Sequence, residues 1–339
     1  MRYSASIHRG TRAIALAFAG FVAGCGSGDA AGPGGGGAGG GGGAAGSNGG
    51  GTPIVLASGE VGAWAIAVDA TNVYWTNQEA RTVMKVPIAG GTPVRLAMGA
   101  STAQMPWDLV VDGGAVYWNY YASPGSVMTA PLAGGTPAAV ASQQNGPRNL
   151  AVAGGIAYWI NLWILGNNSG AVMAAPLAGG TPIALASAQD DPNGIAVDDG
   201  AVYWTNLGGT IMKLAIVGGG AAVTLASAQP GPQHIVVDAS SVYWTNTGSF
   251  QDGSVMKVAK EGGTPVALAA GQMGPFGIAV DAANVYWADV TRVMKAPIAG
   301  GGPTVVVAAA QQRATDVAVD ATSVYWTDTD AGTIMKIAK

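Results

Sequence analysis

Few residues here can do acid–base or metal chemistry. The chain has two histidines, His8 near its start and His234. Asp108 and Asp316 stand at points of an internal repeat equivalent to His234. Together these three are the only set that can be assembled for proton transfer. Outside the first loops the glutamates are Glu79 and Glu261, and Glu261 falls in a turn. No nucleophile elbow, zinc motif or Walker motif occurs. The one cysteine, Cys25, excludes an internal disulfide and a cysteine-built zinc site. Asp190-Asp191 and Asp328-Thr329-Asp330 offer oxygens to calcium but lack EF-hand spacing. The expectation is no catalytic residue, no metal ligand and no cofactor. A divalent ion in a central channel is the one exception considered.

A second set suits binding. Seven equivalent positions carry Trp64, Trp107, Arg148, Asn193, Gln233, Phe276 and Thr315. The loops after the second strand of each repeat add Tyr120, Tyr121, Trp163 and Phe250. Aromatic faces and arginine are favoured at interfaces, and aromatic rings stack on sugars. The expected ligand is a protein or a glycan. The competing reading is that Trp64, Trp107 and Phe276 plug a channel. The net charge of -4 argues against nucleic acid.

The elements that must position these residues repeat. Tyr-Trp recurs at Tyr74-Trp75, Tyr117-Trp118, Tyr158-Trp159, Tyr203-Trp204, Tyr243-Trp244, Tyr286-Trp287 and Tyr325-Trp326, spaced 39 to 45 residues apart. That period is one four-stranded propeller blade. Strand a is of the Ile66–Val68 type, b of the Val73–Thr76 type, c of the Val83–Val86 type and d of the Val94–Ala97 type. All are rich in residues that suit pleated surfaces. Aspartates five residues before Tyr (Asp69, Asp112, Asp198, Asp238, Asp281, Asp320) fix the a–b turn, and Gly-Gly pairs fix the c–d turn. Met84, Met128, Met173, Met212, Met256, Met294 and Met335, one per repeat, are expected in the core and not at a copper site. Ile334–Lys339 reads as a strand c, and Gly51–Ala57 as a strand d with its turn. Joined, they complete one repeat. The predicted fold is all-β: a seven-bladed β-propeller of four-stranded blades, its ring closed by the N-terminal strand completing the last blade. Closure removes open sheet edges. By this geometry the b–c and d–a loops share a top face, and the a–b and c–d turns share the other.

The first 52 residues read as an address. Arg2, Arg9 and Arg12 precede an apolar run, Ala13 to Gly24, that is short for a bilayer. Val22-Ala23-Gly24-Cys25 resembles a bacterial lipobox, which implies cleavage before Cys25 and lipid upon it. Several acyl chains on one residue anchor stably. The assigned regions are a signal peptide over 1–24, the lipidated Cys25 and a Gly-rich flexible tether over 25–52, and the propeller over 53–339. Residues 26–51 contain 16 glycines, too little side chain to offset the ordering entropy. Gly26 after the cysteine points to the outer membrane or cell surface of a bacterial envelope.

Val-Tyr-Trp-Thr-Asn/Asp resembles the YWTD-type repeat of lipoprotein-receptor propellers, and more loosely NHL-type propellers. Tyr325-Trp326-Thr327-Asp328 carries the motif intact; blade two departs with Asn119-Tyr120. The receptor propellers have six blades and this chain has seven, so the resemblance implies the fold and no ligand. Glycine-rich lipoproteins of this pattern are also similar to bacterial proteins of unknown function. The function expected is an envelope-anchored, non-catalytic binding module using the top face. The first alternative is a metal-dependent lyase or hydrolase at the channel mouth, resembling the virginiamycin B lyase family and centred on His234. The second is a structural surface protein without a ligand.

Overall fold

The computed structural model describes residues 51–162, 166, 168–218 and 220–339. These form 28 strands in seven antiparallel four-stranded sheets. In six sheets the four strands are consecutive in the chain. In the seventh, Ile54–Ser58 pairs with Thr333–Ala338, so the N-terminal strand closes the ring as its outermost strand. The innermost strands are Ala63–Val68, Pro106–Asp112, Pro147–Ala153, Pro192–Val197, Pro232–Val237, Pro275–Val280 and Ala314–Val319. Each touches the innermost strand of both neighbouring blades, making an unbroken circuit. Their middle residues are Ala or Val, which this crowding admits. We number the blades one to seven in the order of these strands.

The Tyr-Trp pair is what joins blade to blade. Successive residues of a strand face opposite sides of its sheet, so Tyr enters one interface and Trp the other. Tyr74 of blade one shares a buried cluster with Trp118 of blade two, and Tyr325 of blade seven shares one with Trp75 of blade one. The same pairing fills the other five interfaces. All seven tryptophans of the motif are fully buried. The strand c methionines pack against these clusters, each at its own interface.

A buried indole needs a partner for its N–H. In five blades a Glu or Gln fifteen residues upstream accepts it: Trp75 to Glu60 (2.9 Å), Trp204 to Gln189 (3.0 Å), Trp244 to Gln229 (3.2 Å), Trp287 to Gln272 (3.2 Å) and Trp326 to Gln311 (2.7 Å). Blade three uses Asn161, itself held by Gln144. Blade two has Ala103 at the upstream position, and among the described residues the Trp118 indole nitrogen has no hydrogen-bond partner.

The turn aspartates do more than hold backbone. Asp69 Oδ1 accepts the Thr71 and Asn72 amides (both 2.7 Å), and its Oδ2 accepts the Tyr74 hydroxyl at 2.7 Å. Asp198, Asp238, Asp281 and Asp320 repeat this with Tyr203, Tyr243, Tyr286 and Tyr325. Burial alone would raise these carboxyls, but the donated hydrogen bonds outweigh it and hold them below the usual range, Asp281 at about 2. Burial and the facing carboxylate push the Tyr243 and Tyr325 hydroxyls up to about 12. Asp112 does not follow the pattern. It is exposed and pairs through its backbone with Ala115 across a Gly113-Gly114 turn whose φ values are 55° and 82°. Two glycines fix that turn unaided, as Gly154-Gly155 do in blade three. In four blades a strand c lysine ties to a turn of the next blade: Lys85, Lys213, Lys257 and Lys336 donate to the carbonyls of Leu132, Lys260, Ile298 and Ile88.

Candidate functional site at the channel mouth

Each innermost strand breaks its pairing near its start. In blade one the register jumps between Ala63 and Ile66, leaving Trp64 and Ala65 out of the ladder. The same jump releases Trp107-Asp108, Asn193-Gly194, Gln233-His234, Phe276-Gly277 and Thr315-Asp316. Blade three is tighter: Arg148 still pairs with Ile160, and only Asn149 is skipped, at φ 38°. Bulges of this kind re-aim side chains.

The threonine of the Tyr-Trp-Thr motif pins the bulge. Thr76 Oγ1 accepts the Ala65 amide, Thr205 the Gly194 amide, Thr245 the His234 amide and Thr327 the Asp316 amide, at 2.8 to 3.3 Å. The same hydroxyl donates to the neighbouring blade: Thr327 to the Trp64 carbonyl (2.7 Å), Thr205 to Gln233 (2.7 Å) and Thr245 to Phe276 (2.8 Å). One repeated residue therefore sets the position of several different ones.

The second bulge residue points sideways at the next blade. A Cβ on Gly194 would lie 2.4 Å from the Gln233 carbonyl oxygen, so no side chain fits there. Where this residue is acidic, it bonds across the interface. Asp108 accepts the amides of Leu150 in blade three (2.7 Å) and of Leu109 (2.8 Å). Asp316 accepts those of Ile66 in blade one (3.0 Å) and of Val317 (2.9 Å). Burial pushes the Asp108 carboxyl up to about 6. Burial, and then the Asp108 charge, push Asp316 up to about 7. Both carboxyls are thus committed to backbone amides. His234 sits against Phe276, ring centroids 4.5 Å apart, and among the described residues its imidazole has no hydrogen-bond partner. Burial and the Arg148 charge pull it down to about 4, so it is neutral at pH 7. The catalytic set does not come together as a hydrogen-bonded unit. Among the described residues no three His, Cys, Asp or Glu side chains gather to hold an ion.

The first bulge residues do come together. Trp64 lies 5.4 Å from Trp107 and 5.7 Å, edge to face, from Phe276. The contact with Phe276 reaches past blade seven, where the equivalent residue is the small, buried Thr315. Trp107 meets Tyr121 at 5.0 Å. The Arg148 guanidinium lies over both Trp107 (5.3 Å) and Tyr121 (5.8 Å), and Arg313 lies over Trp64 (5.9 Å). Trp64, Trp107, Tyr121, Arg148 and Phe276 all stay partly exposed. On the opposite side the mouth is an amide pair, Asn193 Nδ2 donating to Gln233 Oε1 at 3.0 Å. Aromatic rings therefore cap one half of the mouth and stay partly exposed there.

Two residues expected in this group stand elsewhere. Tyr120 is 4% exposed and packs edge-on to Trp118, so it belongs to the core. Blade two has Tyr where other blades have the polar Asn or Asp of the motif, and a large apolar ring fills that buried slot. Phe250 is exposed, at Gly274, with no ring contact to the group. Trp163 and Cys25, with the whole leading segment, lie outside the described residues. Arg313 was not foreseen; its place just before the last innermost strand was the available signal. A cleft of about 660 Å³ opens on the other face between blades four and five. Its two lysines are already paired, Lys260 with Asp198 (2.7 Å) and Lys213 with Glu261 (3.6 Å).

No family model matches the sequence, and no curated relative does. Solved structures do resemble it. Virginiamycin B lyase from Staphylococcus aureus superposes with a TM-score of 0.70 at 12% identity, covering 85% of this chain and 98% of that one. The WD40 propeller of Doa1 gives 0.67 at 12% identity, covering 84% and 95%. A chain of a nidogen/laminin complex gives 0.54 at 21% identity, covering 68% and 90%. At these identities the likeness establishes the propeller fold.

Proposed function

We propose that this protein is a non-catalytic binding module that receives a protein or glycan ligand on the aromatic half of its channel mouth. The carrying observation is the continuous, partly exposed row of Arg148, Tyr121, Trp107, Trp64 and Phe276. In this reading a lipid on Cys25 and the Gly-rich segment hold the propeller at the surface of a bacterial envelope. Glycan and protein arrays probed with the wild type, Trp64→Ala and Trp107→Ala test the site. Binding should fall in both variants; binding indifferent to both would place the ligand elsewhere. For the anchor, labelled palmitate should enter the wild type and not Cys25→Ser, and incorporation in the variant would reject that residue.

The second reading is a metal-dependent lyase or hydrolase centred on His234. The likeness of fold to virginiamycin B lyase favours it. The commitment of Asp108 and Asp316 to backbone amides weighs against it. Turnover abolished by EDTA and by His234→Ala would support it.

A further inference from the structure

Arg148 is the unspent charge of the mouth. A guanidinium carries five N–H donors in a planar fork. Among the described residues, that of Arg148 makes no hydrogen bond and no ion pair, and its Nε is buried without a partner. The two aromatic rings beneath it supply cation–π attraction, which satisfies no N–H. Burial lowers its pKa, as expected of a cation drawn from water without a counter-ion.

The neighbouring carboxylates and side-chain amides are all engaged. Asp108 and Asp316 hold backbone amides, and Asn193 holds Gln233. The Asp191 carboxylate, whose charge Arg148 feels, accepts the Gly166 amide at 2.7 and 2.9 Å. The other arginine against the aromatic row, Arg313, has Asp330 at 3.3 Å. A partly buried cation left unpaired is costly, unless a ligand completes it.

We propose that Arg148 is the anion-receiving group of the mouth and that the ligand is an acidic saccharide. Its uronate carboxylate pairs with the guanidinium fork while a sugar ring stacks on Trp107 or Trp64. The fork matches a carboxylate with two parallel N–H donors, and the partly exposed indoles beside it suit the flat face of a pyranose. This inference rests on the mouth being the binding site.

The test is calorimetric titration of the full-length chain with three probes: a galacturonic acid trisaccharide, its methyl ester and a neutral galactose trisaccharide. The acid should bind at least tenfold more tightly than the ester. Arg148→Gln should bring the acid to the level of the ester, and Arg148→Lys should restore only part of the difference. Because the free guanidinium is unpaired, Arg148→Met should melt no lower than the wild type, so loss of binding cannot be put down to unfolding. Acid and ester binding equally, an acid preference that survives Arg148→Gln, or capture of an acidic peptide in place of all three sugars would each overturn the proposal. If the acid and ester bind alike but Trp107→Ala abolishes both, the mouth remains the site and only the anion assignment falls. If no probe binds the wild type, the acidic-saccharide assignment fails.

Discussion

The two faces of the ring are made by the same strands and used differently. On the turn face, residues repeat and are paired. Five aspartates each hold two amides and a tyrosine, and in four blades a strand c lysine ties to a turn of the next blade. At the mouth, seven equivalent positions carry six residue types, on backbone that a motif threonine pins in four of the blades. A side chain that must hold a neighbour is fixed in kind. One that projects from a bulge held by other groups is free to differ. The difference separates positions that should cost stability from positions that should cost only binding.

The largest break in that division should come at a repeated core position. Trp326→Ala removes a fully buried ring and should cost about 3–5 kcal/mol, read as a large drop in melting temperature. Trp64→Ala, partly exposed at the mouth, should cost far less stability while losing the ligand. Comparable melting losses in both would erase the distinction. Next in size is Thr327→Val. It leaves the Asp316 amide and the Trp64 carbonyl without their shared hydroxyl, a loss of roughly 1–3 kcal/mol. It should also change the near-ultraviolet spectrum of the mouth tryptophans. An unchanged spectrum would mean the bulge keeps its shape without the threonine.

A smaller effect is set by pH. The Asp108 and Asp316 carboxyls are raised to about 6 and 7 in the fold, above their ordinary 3.8. The native state therefore holds protons that the unfolded chain has released, and stability falls as pH rises through that range. His234, lowered to about 4 by burial and Arg148, acts the other way below its ordinary 6.5. The turn aspartates, lowered in the fold, contribute stability that is lost only below the ordinary carboxylate range. The clean window is pH 6.5 to 8. There the urea midpoint should fall as pH rises, and Asp316→Asn should flatten the slope. A midpoint that rises across this window in the wild type would contradict the assignment. Smallest of all, Lys260→Met breaks the ion pair with Asp198 on the turn face and should cost at most about 1 kcal/mol. A larger loss in chemical denaturation would show that the turn face is more tightly coupled than this partly buried pair suggests.

Much of the site was legible at the level of position. Equivalence within the repeat located Trp64, Trp107, Arg148 and Phe276 at one position near the start of each innermost strand, because the repeat carries its own register. It did not tell which of them touch. Trp64 reaches Phe276 only because Thr315 between them is small, a relation across three blades that no local pattern encodes. Tyr120 read as a surface aromatic, yet it fills the slot of a buried polar residue. Asp108 and Asp316 read as candidates for catalysis, yet they bond amides of the next blade. The upstream glutamines that hold the indoles were visible in the sequence but had no reason to be noticed until Trp118, opposite Ala103, was found without a hydrogen-bond partner among the described residues.

The sequence by itself determined the blade count, the Tyr-Trp core and closure by the N-terminal strand. Those follow from a period of about forty residues and from the two-residue alternation of strands, which are local facts. The tertiary structure alone decided how the mouth is shared out: aromatic and cationic on one side, amide on the other, with one guanidinium unpaired. That outcome depends on distances across a closed ring, fixed only when seven blades pack at once.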